Sequence, residues 1–331
     1  MNVMLKQKVD LMVENYKEFK TGFKWEANLV KHFGAMVHAT NDKRVDIDRL
    51  KEIKKYIKEE TSWTSYFRGT GEFLIVNLLA FEDDYKSFFE NMINAYDKLK
   101  EAGFRRSPQL PLAAYTIVRQ VPIGEWDYRI QRTKKFYDKM KENHYWLTSS
   151  DDYVFAAVLA TTDLEIEATS RKIEECYSFL NKEGFYKGND LQTLSHILAI
   201  GEEGVEDKCS KAVSLYRSLK EVNCKLQYTG LATLGLLALI TNDINNTVSE
   251  IKEVFDYISD KDGYGFWSID KNTKVILCAT LVSDYYVDEI KKGVIQITLS
   301  NSINAIIIAQ QQAAVAAACA ASAAAASSAS S

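Results

Sequence analysis

The sequence predicts an all-α protein, with helical hairpins stacked in an α/α superhelix or α/α-toroid-like array behind an N-terminal helical cap. Three observations carry this expectation. The 331 residues include only three Pro and 15 Gly beside abundant Ala, Leu, Lys and Glu, which favours helices over turn-rich β architecture. Apolar residues recur at helical spacing along most of the chain. An aromatic followed three residues later by an aliphatic returns about every forty residues, a period typical of helical-hairpin repeats.

Residues 1–70 read as the cap. Leu5, Val9, Met12, Val13, Tyr16 and Phe19 form one apolar stripe, and Leu29, His32, Phe33, Met36 and Val37 a second. A third helix is expected from about Asp46 to Glu60, with Asp46 and Asp48 at its positive end and Leu50, Ile53 and Ile57 buried.

Residues 71–290 read as the repeats. Tyr96 with Leu99, Tyr137 with Met140, Tyr177 with Leu180, Tyr216 with Leu219 and Phe255 with Ile258 mark the long, one-sided helix of each hairpin. Ahead of each lies a short run with little polar face, expected to be buried all round: Phe73 to Phe81, Ala113 to Val118, Val154 to Ala160, Ile197 to Ile200 and Leu231 to Ile240. A sixth run, Val275 to Val282, begins a unit that the tail replaces. Turns follow each aromatic at Gly103-Phe104, His144 to Trp146, Gly184 to Tyr186, Cys224 to Leu226 and Gly263 to Trp267. A glycine there can end its helix in the left-handed conformation while the next aromatic folds back on the last turn. Polar residues such as Ser107, Ser149 to Asp152, Asn189-Asp190, Thr229 and Ser268 to Asp270 then start the following helix.

Residues 291–331 read as a C-terminal helix running to about Ala326, with an Ala/Ser-rich tail. Three consecutive Gln and the weak hydrophobicity of Ala argue against a membrane span. A helix lying in the concave face, or at a homo-oligomer contact, is expected instead.

With 45 acidic and 41 basic side chains, net charge −4 and 47% apolar content, the chain is neither disordered nor collagenous. Five cysteines, none paired as C-x-x-C, fit reduced thiols and a cytoplasmic location. The first residues show no signal-peptide or anchor pattern.

No cofactor, metal or catalytic residue is expected. His32 and His38, six residues apart on a helix, point about 120° apart, away from a shared metal face. Neither a G-x-S-x-G elbow nor a phosphate-cradling glycine spacing occurs, and Gly69-Thr-Gly71 and Gly201 to Gly204 read as connectors. Asp207-Lys-Cys209 matches half of a zinc prenyltransferase ligand pattern, but no His follows His196. Acid pairs such as Asp83-Asp84 and Asp151-Asp152 sit where helices start and read as caps.

Two candidate ligand regions emerge. From Arg105 to Lys141 nine basic residues stand against three acidic ones, with aromatics interleaved, which makes Arg105, Arg106, Trp126, Arg129 and Arg132 candidates for holding an acidic ligand. The acidic balance of the whole chain disfavours nucleic acid. The loop Thr61 to Glu72 carries Trp63 and Arg68, a candidate clamp.

Phe23-Lys-Trp25, Ser65-Tyr-Phe-Arg-Gly69 and Ala309-Gln-Gln-Gln-Ala-Ala together resemble a bacterial family of uncharacterised proteins, the domain-of-unknown-function family numbered 4003. The resemblance covers nearly the whole chain. It implies one continuous helical protein of the bacterial cytosol and transfers no activity. The leading expectation is therefore a non-catalytic binding or scaffold protein whose partner is an unknown protein or small ligand. The alternative is an α/α-toroid enzyme on a glycan or isoprenoid-like substrate, with carboxylates meeting Trp63, Trp126, Trp146 and Trp267 in a central cavity. A deep pocket with two facing carboxylates or a histidine would favour the enzyme.

Overall fold

The computed structural model describes residues 1–291, apart from the side chains of Thr70 and Lys291. The described residues form fourteen α-helices and no strand. The elements are α1 (Val3–Gly22), α2 (Asn28–Thr40), α3 (Ile47–Glu60), α4 (Glu72–Leu79), α5 (Tyr85–Glu101), α6 (Leu110–Gln120) and α7 (Trp126–Asn143). They continue with α8 (Tyr153–Thr161), α9 (Ile166–Lys182), α10 (Asn189–Ile200), α11 (Val205–Glu221), α12 (Gly230–Ile240), α13 (Ile244–Ser259) and α14 (Lys271–Lys291). The expected C-terminal helix and Ala/Ser tail, and any homo-oligomer contact through them, lie outside the described residues.

Two kinds of helix alternate among the described residues. Every residue of α4 and of α12 is buried, and in α8 Tyr153 through Ala160 are buried in succession. The intervening helices bury one stripe: Leu50, Ile53 and Ile57 in α3, or Thr247, Val248, Ile251, Val254 and Ile258 in α13. Aspartates begin these one-sided helices. Asp46 accepts from the Asp48 and Arg49 amides, Asp84 from Ser87 and Asp243 from Asn246.

The turns that end the one-sided helices repeat as well. Gly103 (φ 96°) and Gly184 (φ 97°) take the left-handed conformation. The next amide then reaches back, Phe104 N–H to Leu99 O and Phe185 N–H to Leu180 O, each at 3.1 Å. After α11 no glycine is available, and Asn223 (φ 62°) takes that role while Cys224 N–H donates to Leu219 O at 2.8 Å.

Contacts divide the chain into two units. The first takes in Met1–Val45 and the described residues from 172 onward; the second is Asp46–Arg171. In the second, α3 packs on α4, α4 on α5, α5 on α6 and α7, and α8 on α6 and α7. The residues read as one N-terminal cap thus divide between the units, because the stripe of α3 meets α4. In the first unit α1 packs on α2 and both reach α14, while α10 packs on α11 and α12, α11 on α12 and α13, and α14 on α12 and α13.

The first unit is closed by buried aromatic and ionic contacts. Tyr16 stacks on His32 with ring centroids 4.0 Å apart, and Tyr264 meets both rings edge-on. His32 is therefore a core ring; burial, with Lys31 nearby, pushes its pKa down to about 3, so it stays neutral. Lys8, 5% exposed, reaches Asp42 at 2.9 Å, Asp284 at 2.8 Å and Asp288 at 3.0 Å, tying α1 to α14. Burial alone would lower the Lys8 pKa, but the facing carboxylates raise it above its ordinary value.

Two stability predictions follow from these contacts. A Cβ on Gly263 (φ 86°) would lie 2.0 Å from Tyr16 Cε1, whereas one on Gly184 meets nothing within 4 Å. In urea unfolding, Gly184→Ala is expected to cost about 1–2 kcal/mol of backbone strain, and Gly263→Ala at least about twice that. Lys8→Met removes the cation that three carboxylates share and is expected to cost about 3–5 kcal/mol, more than Lys8 and Asp284 exchanged together for a Met–Leu pair.

Candidate functional site

A cavity of about 510 Å³ opens in the second unit. Its three walls come from the turn after α5, one face of α7 and the entry to α8. In the first wall, left-handed Gly103 reverses the chain so that Phe104 drops into the core, 4.9 Å edge-on to Tyr153 and 5.6 Å from Tyr137. Arg105 and Arg106 then remain exposed, and Ser107 turns inward. A side chain in place of Gly103 would also press on Lys134 Cε at 3.3 Å.

In the second wall, Lys134, Tyr137, Asp138 and Lys141 line the cavity at helical spacing along α7. In the third, the Ser149 hydroxyl and Asp152 carboxylate form a reciprocal cap that starts the helical segment leading into α8. Thr148 donates to Met140 O at 3.0 Å and fixes this segment against α7.

The electrostatics are one-sided. Arg105, Arg106, Lys134 and Lys141 line the cavity against a single carboxylate, Asp138, which Lys134 already pairs at 2.6 Å. Lys141 lies over the Tyr145 ring at 5.4 Å. Arg106 donates to Thr64 O at 3.2 Å and sits 5.5 Å over the Tyr66 ring, so it holds the 61–68 loop beside the cavity. Ser107, 6% exposed, points a hydroxyl oxygen into the lining with no hydrogen-bond partner among the described residues. A buried hydroxyl without a partner carries a desolvation cost, which an oxygen-rich ligand would relieve. The set of cations with a hydroxyl donor is what a phosphate, sulfate or carboxylate group requires.

Of the seven residues singled out from sequence, Arg105 and Arg106 meet in this cavity, and Trp63 lies on the loop that Arg106 holds, 85% exposed. The others are committed to the fold. Arg68 donates to Thr61 Oγ1 at 3.0 Å and to the Lys58 carbonyl, closing the end of α3, so it does not form a clamp with Trp63. Trp126 is 2% exposed and its indole N–H donates to Val121 O. Arg129 donates to Ala160 O at 3.2 Å and Thr162 O at 2.9 Å, and Arg132 to Leu164 O at 2.6 Å. These two guanidiniums saturate carbonyls left open at the end of α8. Sequence reasoning counted Lys134 and Lys141 among the basic residues without placing them in a site, and read Ser107 only as a helix starter. Their signal was the seven-residue interval on one helix, two turns along a single face.

Asp152 lies beneath the third wall, buried, and burial pushes its carboxyl up to about 7, with the Ser149 amide and His144 opposing and Asp151 adding. A carboxyl raised in the folded state stabilises the fold at low pH, and that contribution is lost as pH climbs from 3.8 through about 7. The expected result is a melting temperature that falls between pH 5 and 8 and falls less in Asp152→Asn, a difference on the order of 2–4 kcal/mol at the upper end. Calorimetry across that range checks it.

The family model described as Protein of unknown function (DUF4003) matches residues 15–312, and the chain belongs to that family. A similar relative is a Bacillus subtilis (strain 168) protein named Uncharacterized protein YeaA, 26% identical over 254 residues, or 74% of this chain and 76% of the relative. No solved structure matches.

Proposed function

We propose, for this member of the DUF4003 family, a non-catalytic binding protein that captures an anionic group in the cleft of the second unit. The observation that carries the reading is the four-cation lining with the buried, partnerless Ser107 hydroxyl. The anion belongs to a small ligand or to an acidic segment of a protein partner. The binding surface is part of an α/α superhelix of stacked hairpins. Contacts between neighbouring and next-but-one helices, and the forty-residue recurrence, support that arrangement. We place the protein in the cytoplasm. Cys176, Cys209, Cys224 and Cys278 are buried free thiols, which supports a reducing compartment, and no described helix is long and apolar enough to cross a membrane.

The enzyme alternative asked for two facing carboxylates or a histidine in one pocket. The cleft lining instead offers Asp138 alone, spent on Lys134. Binding is the better supported reading.

Calorimetric titration with inorganic phosphate, sulfate and a sugar phosphate tests it. At about 100 times the dissociation constant the fitting anion is expected to stabilise the fold by about 2.7 kcal/mol. Arg105→Ala and Ser107→Ala are expected to weaken binding about tenfold or more, with affinity falling as salt rises. Arg129→Ala is expected to lower stability with affinity unchanged. A flat titration with all three anions overturns the proposal.

A further inference from the structure

The turns that end the one-sided helices of the first unit carry aromatic side chains that touch almost nothing. Trp25 follows α1, Tyr186 follows α9, Tyr228 follows α11, and Phe266 with Trp267 follows α13. Trp25, Tyr186, Phe266 and Trp267 are 84 to 100% exposed, so none stabilises the fold by burial. Large rings left in water at one kind of position mark a contact surface.

The turns lie at one end of their helices. Asn28 donates to Ser268 O at 3.1 Å, and Lys20 pairs with Asp262 at 3.2 Å, which sets the Trp25 turn beside the Phe266–Trp267 turn. Arg217 pairs with Glu183 at 2.9 Å, joining the ends of α11 and α9. Because α11 packs on α13 and α13 on α1, the tips form a row at helix spacing, about 10 Å from one to the next.

Three acids on this row are engaged: Asp262 by Lys20, Glu183 by Arg217, and Asp270 as the cap of α14, accepting from the Thr273 amide at 3.0 Å and from its hydroxyl. Glu221 and Asp260, at the ends of α11 and α13, are exposed without an ion pair among the described residues. The lysines that flank the rings, Lys24 beside Trp25, Lys187 beside Tyr186 and Lys271 after Trp267, are likewise exposed and carry no ion pair among the described residues. Each exposed tryptophan of the row, and Tyr186, thus has an unpaired lysine close by in sequence.

We propose that this end of the first unit docks on the surface of an anionic lipid bilayer. Tryptophan and tyrosine partition into the headgroup region, where ring and polar edge are both satisfied, and neighbouring lysines are drawn to anionic lipid. A bilayer is soft, so separate tips insert without a matching pocket for each. A protein partner or second copy would need a contiguous apolar face, and single-stranded nucleic acid a continuous cationic groove between the rings. The contact is peripheral and made by turn tips alone.

Co-sedimentation of the full chain with phosphatidylcholine vesicles, with and without about one third phosphatidylglycerol, tests this. Binding is expected to the anionic vesicles and to be weak on the neutral ones. The combined Trp25→Ala, Phe266→Ala and Trp267→Ala variant is expected to lose about tenfold or more in partitioning with an unchanged melting temperature, since all three rings are exposed. Lys24→Glu with Lys187→Glu is expected to remove the preference for anionic lipid. Arg105→Ala, in the cleft of the other unit, is expected to bind vesicles as the unaltered chain does. The proposal is overturned by absence of sedimentation, by full binding of the aromatic variant, by loss of binding in Arg105→Ala, or by capture of single-stranded DNA in place of vesicles.

Discussion

A helix that is apolar on every side has no face it can turn to water, and every second helix here is of that kind. In α12 the whole run from Gly230 to Ile240 is buried, as is every residue of α4, and α8 comes close. Such segments must be covered all round, and the covering falls to one-sided helices such as α3 and α13, whose apolar stripe is matched to that duty. Because a buried helix also ends inside the protein, its last carbonyls cannot be left to solvent. The same solution appears twice in the second unit. Arg49 donates to Ala80 O and Glu82 O just past α4, and Arg129 to Ala160 O in the last turn of α8 and to Thr162 O just past it, from near the starts of α3 and α7.

This division of labour explains why the basic stretch does not act as one surface. A guanidinium offers several donors in a planar fork, so it can saturate two carbonyls at once, which an ammonium does less well. Arg129 and Arg132 are used in that way. What remains for a ligand is the pair after Gly103 and the two lysines on the facing side of α7. The cleft arises because the turn geometry after α5, with Phe104 driven into the core by the left-handed glycine, forces its immediate successors outward.

The elements were legible in the sequence because their determinants are local: a stripe at helical spacing, an aspartate before it, a glycine after it. The glycine ends at 103 and 184 could be read in that way, while the end after α11 could not, since Asn223 adopts the left-handed conformation without advertising it. Site residues were legible only in part. Arg105 and Arg106 follow a recognisable turn, but the commitment of Arg129 depends on carbonyls 31 and 33 residues away, and that of Trp126 on the carbonyl of Val121. Basic count and aromatic spacing are blind to which cations the fold consumes. The 70/71 boundary rested on where the repeat pattern begins, whereas packing is set by which stripe meets which neighbour, and α3 meets α4.

The same reasoning separates residues kept by the fold from residues available to a partner. Tyr16, Tyr264 and Phe104 are aromatic, buried and ringed by other side chains, and their removal would open cavities. Trp25, Trp267 and Tyr186 are aromatic and almost wholly in water, so their removal opens nothing. Tyr16 lies within α1, but the others of both groups occupy turns after one-sided helices, one or two residues apart: Phe185 is buried and Tyr186 exposed, as Tyr264 is buried and Phe266 exposed. The left-handed turn makes this split unavoidable, since one residue must fold back to seal the helix end while the next is carried outward. The inner residue of each turn is therefore constrained by stability. The outer one is free of it: in the second unit the turn after α5 places Arg105 and Arg106 there and supplies charge, whereas the turn after α7 places Tyr145 and Trp146 there and supplies rings, 61% and 93% exposed.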